Sequence, residues 1–193
     1  MISIIGIAGS LRQGSYNAAL LRNAVELAPD GCSLEIATIK DIPLYDGDLE
    51  TLHGIPAAVT ALKDRVAAAN GLLLVTPEYN HSIPGVFKNA IDWMTRPASD
   101  IARVFGERPV GLIGATPGGM GTTFSQTAWL PVLRTLGTRP FFGKTLYVSG
   151  AAKVFDAEGR LTDKELRERL RVYMEQFAFF VASARAATKP VQG

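Results

Sequence analysis

Two serine hydroxyls, a guanidinium and two glycines crowd into Gly9-Ser10-Leu11-Arg12-Gln13-Gly14-Ser15-Tyr16-Asn17, directly after the apolar run Ile2 to Ala8. Such a set suits an anion. Ser10, Ser15, Arg12 and the free amides that open a helix can all donate to phosphate oxygens, and Gly9 and Gly14 permit a tight turn around them. Spacing narrows the kind of phosphate. Gly9 and Gly14 have the four-residue gap of a nucleoside-triphosphate loop, but the position of its lysine is held by Ser15. Gly6-Ile7-Ala8-Gly9 also lacks the gaps of a dinucleotide fingerprint, so Glu35 gives little support as a ribose-binding acid. A monophosphate held by hydroxyls and one arginine remains. The competing reading is that Ser10 and Ser15 only cap a helix while Arg12 is solvated.

Two more stretches could meet a ligand. In Thr76-Pro77-Glu78-Tyr79-Asn80-His81-Ser82-Ile83-Pro84 the prolines stiffen the chain, Tyr79 offers a flat face and Asn80 an amide. A planar ring with polar edges would fit there. A rigid turn in which Asn80 or Ser82 bonds its own backbone and caps the next helix is the alternative. Thr116-Pro117-Gly118-Gly119-Met120-Gly121-Thr122 has three glycines in four positions, as where backbone passes close to a ligand; a glycine-rich turn without one explains it equally. His81 receives no proton-transfer role, and no side chain is assigned as catalytic.

Positioning these stretches requires a frame. Short apolar runs alternate with helical patterns, which predicts an α/β fold with a doubly wound, five-stranded parallel sheet and helices on both faces. Strands are read at Ile2 to Ala8, Ser33 to Ile39, Gly71 to Thr76, Pro109 to Ala115 and Thr145 to Ser149. Leu72-Leu73-Leu74-Val75 shows no alternation, as expected of a central strand covered on both faces. Leu34 to Ile39 alternates partly, which suits an outer strand. Helices are read at Asn17 to Leu27, Ile55 to Ala69, Pro84 to Met94, Thr123 to Leu136 and Thr162 to Ala186, the last opening on a capping box of Thr162 and Glu165. The long connections Lys40 to Gly54 and Thr95 to Arg108 are read as a rim or a subunit contact. In such sheets ligands bind beyond the carboxyl ends of the strands. The loops after strands one, three and four would therefore share one crevice.

Composition bounds the class. At 193 residues, 47% hydrophobic and 20% charged, the chain suits one globular domain over residues 1–187. Thr188 to Gly193 is expected to be a frayed tail. A net charge of +2 with scattered bases argues against nucleic acid. Cys32 stands alone, so no intramolecular disulfide and no Cys/His metal cluster is expected, and a reducing cytoplasm fits. Met1 to Ala8 lacks the basic leader of a signal peptide. The apolar stretch Phe177 to Ala187, broken by Arg185, falls short of the roughly 20 residues of a membrane span.

Taken together, Gly9-Ser10-Leu11-Arg12 with Ser15-Tyr16-Asn17, Pro77-Glu78-Tyr79-Asn80 with Ser82, Pro84, Lys88, Asn89 and Asp92, and the turn Gly118-Gly119-Met120-Gly121 give the chain a likeness. It resembles the NADPH-dependent FMN reductase family of flavodoxin-like proteins, which includes bacterial chromate and quinone reductases. The resemblance implies strand order 2-1-3-4-5 and FMN as cofactor. It makes Ser10, Arg12, Ser15 and Asn17 the phosphate shell, with Leu11 and Tyr16 lining it. Pro77 to Asn80, with Ser82, would follow the flavin and ribityl chain, and Gly118, Gly119, Met120 and Gly121 would approach the pyrimidine edge. NADPH or NADH would supply hydride, passed through FMN to quinones, chromate, azo compounds or free flavin. A homodimer or homotetramer is implied, with Pro84 to Met94 and Arg96 to Arg108 as contacts and Trp93 and Phe105 taking part if exposed. A flavodoxin-type electron carrier and a flavin-binding regulatory protein are the alternatives; Arg12 and the basic pI of about 8.8 count against the carrier.

Overall fold

The computed structural model describes residues 1–187 of the chain, so the expected frayed tail, 188–193, lies outside the described residues. The apolar runs form parallel strands β1 (Ile2–Ala8), β2 (Cys32–Ala37), β3 (Gly71–Val75) and β4 (Pro109–Ala115). The fifth position is split. β5 (Arg139–Pro140) pairs with the start of β4 and β6 (Leu146–Val148) with its end. The sheet is thus six-stranded, in order β2-β1-β3-β4-β5 with β6 also on β4, and its sequence order is the one the resemblance implied. A two-residue strand carries no periodicity to read, which is why the sequence showed only the later piece.

β3 is buried along its whole length. Leu72 and Leu74 enter one core with Ile5, Ile7, Phe87 and Trp129, while Leu73 and Val75 enter the other with Ile4, Leu20, Leu21, Tyr173 and Phe177. The unalternating run is therefore two apolar faces superimposed. Helices α1 (Tyr16–Glu26) and α8 (Lys164–Ala187) cover one face; α3 (Ala57–Ala68), α4 (Gly85–Met94), α5 (Ile101–Phe105) and α6 (Thr123–Thr135) cover the other.

Local differences from the sequence reading have identifiable causes. The helix predicted from Thr162 starts at Lys164, capped by Asp163, whose Oδ1 accepts from Leu166 N–H at 2.8 Å. Thr162 Oγ1 donates instead to the Val154 carbonyl at 3.1 Å. α2 (Gly47–His53), α5 and α7 (Ala151–Val154) escaped the sequence reading. α2 has no buried residue and so no apolar period; the Asp46 cap, donated to by Asp48 N–H at 2.9 Å, starts it. Its approach is pinned to α4, because Asn89 Nδ2 and Trp93 Nε1 both donate to the Pro43 carbonyl, at 2.9 and 2.8 Å. Trp93 and Phe105 are buried, so both serve the core and neither is available as a contact. Among the described residues no helix is long and apolar enough to cross a membrane.

Candidate functional site

At the carboxyl ends of β1, β3 and β4 the three loops enclose a crevice of about 270 Å³. The first loop contributes Ser10, Arg12, Ser15, Tyr16 and Asn17, the second Pro77, Glu78 and Tyr79, and the third Ala115, Thr116 and Pro117. A larger groove of about 480 Å³ runs along the outer face of α8 between Phe141 and Phe179. It has apolar walls and lies away from the strand ends where this sheet type binds ligands.

Ser15 is the N-cap of α1, its Oγ accepting from Ala18 N–H at 3.3 Å. Ser10 Oγ accepts from Arg12 N–H, and Thr116 Oγ1 from Gly118 N–H, each at 3.3 Å. A hydroxyl that accepts still has its own proton to donate. Capping and phosphate binding are thus compatible uses of these serines. Around them the first amides of α1 have no carbonyl partner earlier in the helix. Arg12 is exposed but held on the loop, Nη2 donating to the Gly14 carbonyl at 2.9 Å and the guanidinium lying 5.6 Å from the Tyr16 ring centre. Gly14 has φ +66°, the conformation that a tight turn requires here. Gly9 is required for a different reason: a Cβ there would lie 2.0 Å from the Phe87 ring, so packing against α4, and not a phosphate, demands glycine.

Asn17 lines the crevice with its side chain already engaged. Nδ2 donates to the Ala115 carbonyl at 2.8 Å and Oδ1 accepts from Ala115 N–H at 2.9 Å. The reciprocal pair ties the first turn of α1 to the end of β4, leaving one N–H of the amide for a ligand.

In the second loop Tyr79 and Ser82 exchange backbone hydrogen bonds at 3.1 and 3.0 Å, with Asn80 and His81 at φ 50° and 60°. This is a two-residue turn with both central residues left-handed. α4 begins at Pro84 with no side-chain cap, so neither Asn80 nor Ser82 caps it. Asn80 and Ser82 are exposed and stand outside the crevice lining. Glu78 reaches across to α6, its Oε2 accepting from Phe124 N–H at 2.9 Å and Ser125 N–H at 3.1 Å. Behind it Thr76 Oγ1 accepts from Trp129 Nε1 at 3.1 Å and shares a 2.8 Å hydrogen bond with Ser125 Oγ.

The third loop lines the crevice with residues earlier than those predicted. Ala115, Thr116 and Pro117 form the wall, while Gly118, Gly119, Met120 and Gly121 lie beyond it, as does Leu11 of the first loop. Gly121 has φ +60°, and a Cβ there would lie 2.8 Å from Tyr147 Cβ, so packing against β6 accounts for it. Thr116 and Pro117 were legible as the first residues past a predicted strand; the denser glycine signal drew attention past them.

One end of the crevice therefore gathers neutral hydroxyl protons, helix amides and an arginine, a donor set that fits a phosphate. The other end is walled by Pro77, Tyr79 and Pro117, rigid and flat enough for a ring. With the strand order reversing between β1 and β3, this is a flavodoxin-like protein with the cofactor-binding end of that class. The model of the family described as NADPH-dependent FMN reductase matches residues 2–153, and the chain belongs to that family. It is 41% identical over 184 residues to an NAD(P)H-dependent FMN reductase of Pseudomonas aeruginosa, covering 95% of this chain and 97% of that one. A 2-hydroxy-1,4-benzoquinone reductase of Burkholderia is 34% identical over 184 residues, with 95% and 98% covered. Among solved structures, the flavoenzyme NAD(P)H:(acceptor) oxidoreductase of Paracoccus denitrificans superposes with a TM-score of 0.85 at 31% identity, covering 95% of this chain and 99% of that one. The chain is an oxidoreductase with FMN as cofactor and NAD(P)H as electron donor.

Proposed function

We propose that FMN lies in this crevice with its phosphate at the amino end of α1 and its ring between the second and third loops, and that the enzyme reduces quinones. The observation that carries this reading is the joining, in one crevice, of a phosphate donor set at Ser10, Arg12 and Ser15 with a ring-sized wall at Pro77, Tyr79 and Thr116-Pro117. Relatives named as quinone reductases support the acceptor class. Chromate, azo compounds and free flavin belong to the same proposal as further acceptors that take electrons from an exposed flavin.

Bound FMN would supply the electron transfer, accepting hydride from NAD(P)H and passing the electrons on. The chain's own residues bind and orient. Ser15 and Ser10 hydroxyls, the Arg12 guanidinium and the α1 amides hold the phosphate; Asn17 holds α1 against β4; and Tyr79, half exposed at the mouth, leaves room for a nicotinamide or a flat acceptor. One domain over residues 1–187 carries the whole site, and no side-chain nucleophile is required. The proposal includes a cytoplasmic homodimer or homotetramer. With Trp93 and Phe105 buried, the exposed apolar side chains that such a contact could use include Leu44, Leu49 and Leu52 on and beside α2, and Phe142 and Phe179 elsewhere.

Visible spectra of the purified protein test the reading. A yellow protein bleached by anaerobic NADPH and recoloured by a benzoquinone is expected. Colourless protein that takes up no FMN overturns it, and flavin that stays oxidised for minutes with NADPH favours an electron carrier.

A further inference from the structure

α6 begins without a cap of its own. Its N-cap residue, Thr122, is left-handed, and no side-chain cap bond comes from it. The amides of Phe124 and Ser125 are met instead by a carboxylate from another loop, Glu78, which also forms part of the crevice wall. A fixed negative charge that belongs to the crevice wall therefore sits at the positive end of a 13-residue helix.

We infer that Glu78 is a positioning residue that sets the reduction potential of the bound flavin. It fastens the second loop to the start of α6, and its charge offsets the positive pole of that helix beside the crevice wall. Hydride transfer from NAD(P)H brings two electrons and one proton to the flavin, while the oxidised nicotinamide leaves; the reduced ring carries added negative charge. Glu78 disfavours that charge through its own, by direct repulsion and by offsetting the positive pole of α6. It therefore keeps the reduced flavin strongly reducing, as delivery to an acceptor requires. This inference rests on the placement of FMN proposed above.

Glu78→Gln tests it, because the glutamine amide oxygen can accept the same backbone bonds while the charge is gone. Flavin-loaded wild type and variant are titrated against redox dyes, and FMN affinity is measured in both redox states. The expected result is a gain of about tenfold in affinity for reduced relative to oxidised FMN, read as a potential about 30 mV more positive for the two-electron couple. An unchanged or lowered potential overturns the inference and leaves Glu78 as a structural cap. Glu78→Asp retains the charge, and its potential should stay at the wild-type value even where affinity falls. That variant decides the matter if Glu78→Gln does not retain flavin: a raised potential in it also overturns the inference. Ser15→Ala separates the two claims, since undiminished FMN affinity in that variant would refute the placement of the phosphate, whatever the potentials show.

Discussion

The amino ends of two helices are each capped by a residue that lines the same crevice, and the chain treats those ends oppositely. α1 is capped by its own Ser15, a neutral group whose proton remains free for a ligand, with Arg12 held close by. α6 is capped by a carboxylate borrowed from the second loop. Both caps satisfy helix amides, and both stabilise their helices by about 1 kcal/mol on ordinary experience. They differ in the electrostatic sign offered to a ligand. An anion is welcome at α1 and answered in advance at α6, so the difference gives the crevice a direction, and the proposed placement puts the phosphate at the α1 end.

The sharpest way to break this contrast is to make α1 resemble α6. Ser15→Asp keeps an N-cap of equal quality, so the fold and its melting temperature should hardly change. A carboxylate would then face the FMN phosphate, and one donated hydrogen bond worth about 1.5–3 kcal/mol would be lost as well. FMN affinity should fall on the order of a thousandfold, about 4 kcal/mol, as read by quenching of flavin fluorescence. Retained affinity would mean that the phosphate does not lie at α1.

The contrast also depends on the two helix ends being held in register, and Asn17 is the tie. Asn17→Ala strands both the N–H and the carbonyl of Ala115, buried at the end of β4. Unpartnered groups of this kind cost about 1–3 kcal/mol each, so a loss of about 2–6 kcal/mol in stability is expected. For a chain of this size that corresponds to roughly 4–24 °C in melting temperature. A variant that melts with the wild type but has lost FMN affinity would instead make Asn17 a ligand and no more.

How much of this could be read from the sequence depends on how local each cause is. β3 was legible because both of its faces are apolar, and Ser15 because a cap acts three residues along on its own helix. α2 was not, since it buries nothing and leaves no period. The role of Glu78 was beyond sequence reasoning: its partners lie 46 and 47 residues away, and nothing in Pro77-Glu78-Tyr79-Asn80 marks the carboxylate as a cap for another helix. Glycine was the most ambiguous signal. Gly9 and Gly121 read as room for a ligand, yet Phe87 and Tyr147 occupy the space that a side chain there would need. A missing side chain shows that something passes close by, and only the fold shows what.

The smallest expected effect concerns how the α1 end divides its work. Among the described residues Arg12 is the only formal positive charge in the crevice wall, but it is exposed and already bonded to the Gly14 carbonyl. Solvent screens its attraction for a phosphate more than it weakens the hydroxyl and amide donors beside it. Arg12→Ala should therefore cost about 1.5 kcal/mol, near the lower bound for a hydrogen bond to a charged group, or about tenfold in FMN affinity. Riboflavin, which has no phosphate, should bind wild type and variant alike. The loss should shrink as salt is raised, whereas the loss in Ser15→Ala should depend less on salt. Equal losses for FMN and riboflavin would show that Arg12 acts through the loop, by its bond to Gly14 and its contact with Tyr16, and that the direction of the crevice is set by the helix and its cap alone.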